Sequence, residues 1–192
     1  PVMTSKISFL KLMQEDAKRR NWMLVFLSVL FFVCYPVLMM IALDAQTTVN
    51  DIWRNRVAVD LLAPGNIAMV VTAAAAMIAA AEFSYVHSKE KMDLYYSIPV
   101  RRKKLFLSGY MTGFLMFVGI FLVCEILAML VAATKGVSLS LLFLPFLKGS
   151  VLHIIEFLLI YSAAAFAMLF TGNTLIAVFG MAVIAGYGPA VT

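Results

Sequence analysis

Charge is what this sequence has least of. Only 13% of its 192 residues are Asp, Glu, Lys or Arg, while 64% are hydrophobic; a typical soluble domain is about 25% charged and about 45–50% apolar. A water-soluble domain of this length could not hide so much apolar surface, and a disordered chain would carry far less of it. Cysteine is scarce too: Cys34 and Cys124 both fall inside apolar runs, which excludes a disulfide scaffold and leaves them as small apolar residues. The two histidines, His87 and His153, have no Cys or Asp at ligand spacing, so no dedicated metal site is expected. Phosphate-loop, zinc-peptidase and nucleophile-elbow motifs are all missing. With those enzyme classes gone, any work must draw its energy from a partner or an ion gradient.

What is present is apolar sequence gathered into lengths that fit a bilayer, about 20 residues for a hydrocarbon core of roughly 30 Å. Residues 22–43 carry no charge, and residues 65–86 carry only Glu82, near their end. Residues 105–134 contain one charge, Glu125; residues 149–170 contain His153 and Glu156; residues 174–190 are uncharged. None of these runs alternates as a membrane β-strand would. The expected fold is all-α: a polytopic helical membrane protein with five transmembrane helices in one transmembrane domain.

Lys and Arg set the orientation. Five lie in the first 21 residues (Lys6, Lys11, Lys18, Arg19, Arg20) and six in 87–104 (Lys89, Lys91, Arg101, Arg102, Lys103, Lys104). The alternate connections, 44–64 and 135–148, hold four between them (Arg54, Arg56, Lys135, Lys148). This asymmetry puts the N-terminus and the 87–104 loop in the cytoplasm. The net charge of +5 is thereby an orientation signal, with no nucleic acid needed to explain it.

Within 5–20, Ile7, Leu10, Met13 and Ala17 share one helical face, flanked by Phe9 and Leu12, with Lys6, Lys11, Lys18 and Arg19 around the other side. That is the pattern of an interfacial amphipathic helix on an anionic lipid surface. The connection 44–64 carries Asp44, Asp51 and Asp60 and closes at Pro64-Gly65. The apolar stretch 141–147 is interrupted at Pro145 and reads either as a re-entrant piece or as the start of the fourth span. The Ala-rich run 73–81 predicts a closely packed, buried helix.

Depth sorts the carboxylates. At about 1.5 Å per residue, Glu82 lies roughly 26 Å along its inward-running span, near the cytoplasmic interface. Glu125 lies roughly 30 Å along the outward-running third span, and Glu156 about 10 Å into the fourth. His153 stands three residues before Glu156, on the same face. Ionisable groups inside spans are rare and tend to face a partner or a water-filled cavity. Glu125, His153 and Glu156 form a candidate polar cluster in a transport pathway; snorkelling of each to the surface is the alternative.

The cytoplasmic loop carries the most information. Ser88 can cap a short helix reaching about Tyr96, and Ser97-Ile98-Pro99 ends it, with Pro99 suited to the first turn of the next helix. Acidic residues and paired tyrosines in an otherwise basic loop look like a docking surface. The run from Lys89 to Ser108 resembles the first cytoplasmic loop of type-2 ABC exporter permeases, most closely the multi-spanning permeases of Gram-positive bacteria. In that family the loop holds a coupling helix that docks into a cleft of the ATP-binding subunit. Its recognisable parts, an acidic residue and a following Ser-x-Pro-x-Arg, are matched by Glu90 or Asp93 and by Ser97, Pro99 and Arg101. The helix ahead of the first span corresponds to the family's interfacial connecting helix. Gly109 stands where many relatives carry a Lys. Five spans stand where the family's unit has six, from which a longer protein, continuing past residue 192, is expected.

The resemblance implies a non-enzymatic membrane subunit of an exporter in the bacterial cytoplasmic membrane. ATP and Mg would reside on a separate ATP-binding-cassette ATPase subunit, none in this chain. A second permease half, identical or different, would complete the pathway within the lipid bilayer. The implied coupling surface comprises Glu90, Lys91, Asp93, Leu94, Tyr95, Ser97, Pro99, Arg101 and Arg102. Two other classes stand beside it: an ATPase-independent transporter or channel working through Glu125, His153 and Glu156, and a structural membrane subunit.

Overall fold

Apolar residues in unbroken runs can satisfy their backbone groups in lipid only by forming helices. The computed structural model describes residues 9–45, 51–63, 65, 67–84 and 102–170. Helix accounts for 93% of the described residues, with no strand among them. The elements are α1 (Phe9–Arg19), α2 (Asn21–Phe32), a single π-helical turn (Val33–Val37), α3 (Leu38–Asp44), α4 (Asp51–Leu62), α5 (Ala68–Phe83), α6 (Arg102–Thr134) and α7 (Leu139–Phe170).

Three helical stretches are long and apolar enough to cross a membrane: Asn21–Asp44, Arg102–Thr134 and Leu139–Leu169. They match the first, third and fourth expected spans. The expected second span corresponds to α5, a shorter apolar helix of 16 residues. The fifth, 174–190, lies outside the described residues. Large apolar side chains along the spanning stretches are exposed, among them Phe26, Val29, Met40, Val123, Leu130, Leu159 and Phe166. In water so extensive an apolar surface would drive association; in lipid it is the solvated face.

Three local features depart from a plain reading of the runs. Pro36 interrupts the first span, because its ring nitrogen has no proton to donate and its ring crowds the preceding turn. The chain answers with the wider turn Val33–Val37, in which the Leu38 amide reaches back to the Val33 carbonyl. Pro145 lies inside α7, which is continuous from Leu139, so the stretch 141–147 belongs to the fourth span's helix. The connection 44–64, for which the sequence named no element, contains a helix, α4, which packs on α3.

Helix ends are closed by local chemistry. After α6 the Gly136 amide bonds the Ala133 carbonyl (3.0 Å) and the Val137 amide bonds the Ala132 carbonyl (3.1 Å). This paired closure needs a left-handed residue, supplied by Gly136 at φ +86°. Asp51 in the first turn of α4 accepts from Arg54 (2.8 Å), and Lys135 pairs with Asp44.

By contacts the chain divides into two compact units, to both of which α6 and α7 contribute. Unit 1 comprises residues 1–21, 72–116 and 158–192; unit 2 comprises 22–71 and 117–157. Unit 2 has an aromatic core. Phe117 stacks on Phe157 with centroids 3.7 Å apart and on Phe121 at 5.3 Å, and meets the edge of Phe31 at 5.6 Å. Phe121 also meets Tyr35 (5.6 Å) and His153 (5.9 Å) edge to face. The contributing pairs, 31 and 35, 117 and 121, 153 and 157, are each four apart and so project from one face of their helix.

In unit 1, α5 buries Ala74, Ala75, Ile78, Ala79, Glu82 and Phe83, the three- and four-residue spacing of a single helical stripe. The small side chains permit close approach. A Cβ on Gly113 of α6 would lie 2.5 Å from the Tyr161 hydroxyl and 2.9 Å from Ile78 Cγ2. Phe83, Phe106, Tyr110 and Tyr161 stack in sequence beside this contact. The Tyr110 hydroxyl shares a hydrogen bond with Ser162 Oγ (2.7 Å).

Candidate functional site

The coupling-surface residues Glu90, Lys91, Asp93, Leu94, Tyr95, Ser97, Pro99 and Arg101 lie outside the described residues. Arg102 is described: it is exposed and opens α6. What the structure does show is how the chain on either side of that loop is held in unit 1.

Arg20, the residue joining α1 to α2, reaches the last turn of α5. Its guanidinium donates to the carbonyls of Ala81 and Glu82, the latter at 3.1 Å, and stands 3.4 Å from Glu82 Oε2. The last carbonyls of a helix lack intrahelical partners and carry partial negative charge, so a cation is favoured there. The Glu82 side chain is fully buried, and neither of its carboxylate oxygens has a hydrogen-bond partner among the described residues. Arg20 is therefore its nearby counter-charge. A Cβ on Gly109 would lie 3.4 Å from Glu82 Oε2, so the glycine leaves the carboxylate its space.

On the other side of the loop, the Ser108 hydroxyl on α6 lies 3.4 Å from Asp16 Oδ2 on α1. Burial pushes the Asp16 carboxyl above its ordinary range, against the opposing pull of Arg20 and the Ser108 hydrogen bond. Through Arg20 and Asp16, the amphipathic segment is bonded to the chain both before and after 85–101. From its depth near the cytoplasmic interface Glu82 is expected within reach of water or of the basic loop; in the structure it is buried against Arg20.

No family model, curated protein or solved structure matches this chain. The functional reading therefore stands on residues and geometry alone.

The second polar group lies in unit 2, at the three residues expected to cluster. Glu125 is fully buried and His153 nearly so, while Glu156 is partly exposed. They form two pairs. His153 Nδ1 lies 3.1 Å from Glu156 Oε2, the three-residue spacing at work. Glu125 Oε2 instead accepts from Ser150 Oγ at 2.7 Å, and Oε1 has no hydrogen-bond partner among the described residues. Ser150 also lies 2.8 Å from the Phe146 carbonyl one turn back in α7.

Two further participants were not legible in the sequence. A Cβ on Gly149 would lie 2.4 Å from the Leu62 carbonyl oxygen and 3.5 Å from Glu125 Oε1. The Leu62 oxygen ends α4, so a helix-terminal carbonyl and a carboxylate oxygen unpartnered among the described residues border one glycine. Ser150 had a detectable signal, since it lies three residues before His153 and faces the same way. Leu62 had none, because only the fold of the 44–64 connection brings its backbone there.

Proposed function

We propose that this chain is the membrane subunit of an ATP-driven exporter, in which a separate ATP-binding-cassette ATPase acts on the 87–104 loop. The carrying observation is the run Lys89–Ser108, with its acidic residue, Ser97-x-Pro99-x-Arg101 and basic tail. The surroundings support it. The chain entering and leaving the loop is fastened to α1, and α6 continues from Arg102 as one helix of 33 residues. A push on the loop has a stiff element to act through. In this reading the N-terminus and loop face the cytoplasm of a bacterial cell, two permease halves enclose one pathway, and ATP and Mg sit on the partner. The cargo is of peptide, drug or lipid-like type.

Purification of the native full-length protein in mild detergent tests this. An ATPase subunit should accompany it in fixed ratio and be lost on charge reversal at Asp93 or Arg101. A preparation free of ATPase that still transports under an ion gradient overturns the reading. It would favour the second one, an ATPase-independent transporter, which the buried Glu125 and His153 support.

A further inference from the structure

We infer that Glu125, Ser150 and the Leu62 carbonyl form a binding site for a monovalent cation, H⁺ or Na⁺. The deciding feature is an imbalance between acceptors and donors. Glu125 Oε2 lies 2.7 Å from Ser150 Oγ, whose other neighbour is the Phe146 carbonyl, while Glu125 Oε1 and the Leu62 carbonyl oxygen both border Gly149, 3.5 Å and 2.4 Å from where a Cβ on it would lie. Ser150 has one hydroxyl proton, which cannot serve Glu125 and Phe146 at once. If Ser150 donates to Phe146, as serines in apolar helices do, neither carboxylate oxygen of Glu125 has a hydrogen-bond donor among the described residues.

Such an arrangement in a fully buried position is unfavourable until a positive charge or proton enters it. A proton on Oε2 would be donated to Ser150 Oγ, which passes its own to Phe146. A proton on Oε1 would face the Leu62 carbonyl. A Na⁺ ion would take the same hard oxygens as ligands.

Gly149 makes the approach possible, because any side chain there would occupy the space between Leu62 and Glu125. The titratable groups that interact with Glu125 are His153 on α7 and Tyr35 in the π turn; Cys34, Cys124 and Glu156 lie around Tyr35 in turn. His153, when protonated, competes electrostatically with the bound cation, and its hydrogen bond to Glu156 tempers that competition. Phe121 packs against His153, and Tyr35 packs against Phe121.

The site holds under either reading of function, and its test involves neither an ATPase nor transport. The full-length protein in lipid nanodiscs is examined by infrared difference spectroscopy from about pH 5 to about pH 9, a range wide enough for strongly displaced carboxyl groups. Each pH is measured in NaCl and in choline chloride, and the Glu125 carboxyl band is assigned by its loss in Glu125→Gln. If that variant does not fold, the band's displacement in Glu125→Asp makes the assignment.

A Glu125 band that changes with pH alike in both salts identifies H⁺ as the occupant. A band that changes on adding NaCl at constant pH identifies Na⁺. Ser150→Ala should move the midpoint by about ten-fold in cation activity, the loss of roughly one hydrogen bond to a charged group. A Glu125 band that is the same at every pH and in both salts overturns the inference, and an unmoved midpoint in Ser150→Ala overturns the part assigned to Ser150.

Discussion

Removing Arg20 should destabilise the protein, and removing Glu82 as well should restore part of the loss. The Glu82 side chain is fully buried, and that of Arg20 is 13% exposed. Breaking a buried pair by deleting one partner costs about 3–5 kcal/mol, mostly because the remaining charge is stranded. Arg20→Ala strands Glu82, whose oxygens have no hydrogen bond among the described residues to fall back on. Glu82→Gln is not symmetrical with it. Arg20 would retain the carbonyls of Ala81 and Glu82 as acceptors, so the expected loss is only about 1 kcal/mol.

In the double variant no charge is stranded, and what remains lost is the guanidinium's hold on two carbonyls, about 1.5–3 kcal/mol. The order of stability should therefore be wild type, Glu82→Gln, the double variant, then Arg20→Ala, with a coupling of about 2 kcal/mol between the sites. Reversible unfolding in mixed micelles by titration with a denaturing detergent measures all four. If adding Glu82→Gln to Arg20→Ala lowers stability further, the buried ion pair is not what Arg20 serves.

Gly149→Ala should cost about 1–3 kcal/mol by forcing its Cβ against the Leu62 backbone, whereas Gly119→Ala, with nothing within 4 Å of its Cβ, should be neutral or stabilising; the same unfolding titration compares them. Tyr110→Phe removes the bond to Ser162 and should cost about 0.5–1.5 kcal/mol, with Ser162→Ala adding little to it in a double-mutant cycle. For Asp16, burial raises the folded-state carboxyl above its ordinary value of 3.8, so the folded state holds this proton more tightly than the unfolded state. Its contribution is favourable at low pH and declines as pH rises through the window between the two values. Thermal melts over a pH series should show that decline, and Asp16→Asn should remove it.

The sequence was most informative where one physical constraint dominates. Apolar runs over 22–43, 105–134 and 149–170 led directly to helices, because lipid leaves the backbone no other way to satisfy itself. The amphipathic pattern in 5–20 pointed to α1, and the Ala-rich run to the buried stripe of α5. Elsewhere local patterns left the outcome open. The stretch 141–147 reads either as a re-entrant piece or as the start of the fourth span; α7 runs through Pro145, since a long membrane helix tolerates a proline once neighbouring groups absorb the freed carbonyl. The polar connection 44–64 hid α4, whose apolar contacts, Ala58 and Leu62, are too few to make a visible stripe. Among the candidate site residues, the three-residue spacing foretold His153 with Glu156. The partners of Glu125 depended on how α4 and α7 meet α6, which no linear pattern encodes.

The stacked rings of unit 2 also constrain motion in time. Phe117 lies nearly parallel to Phe157, at 6° and 3.7 Å, with the edge of Phe31 against it. A half-turn about its Cβ–Cγ bond sweeps a ring's width through space those neighbours fill, so it can flip only when the packing momentarily expands. The two edges of Phe117 should thus exchange slowly enough to give separate magnetic resonance signals. Their merging on warming would time the breathing of the helices around them, a clock built into the centre of the unit.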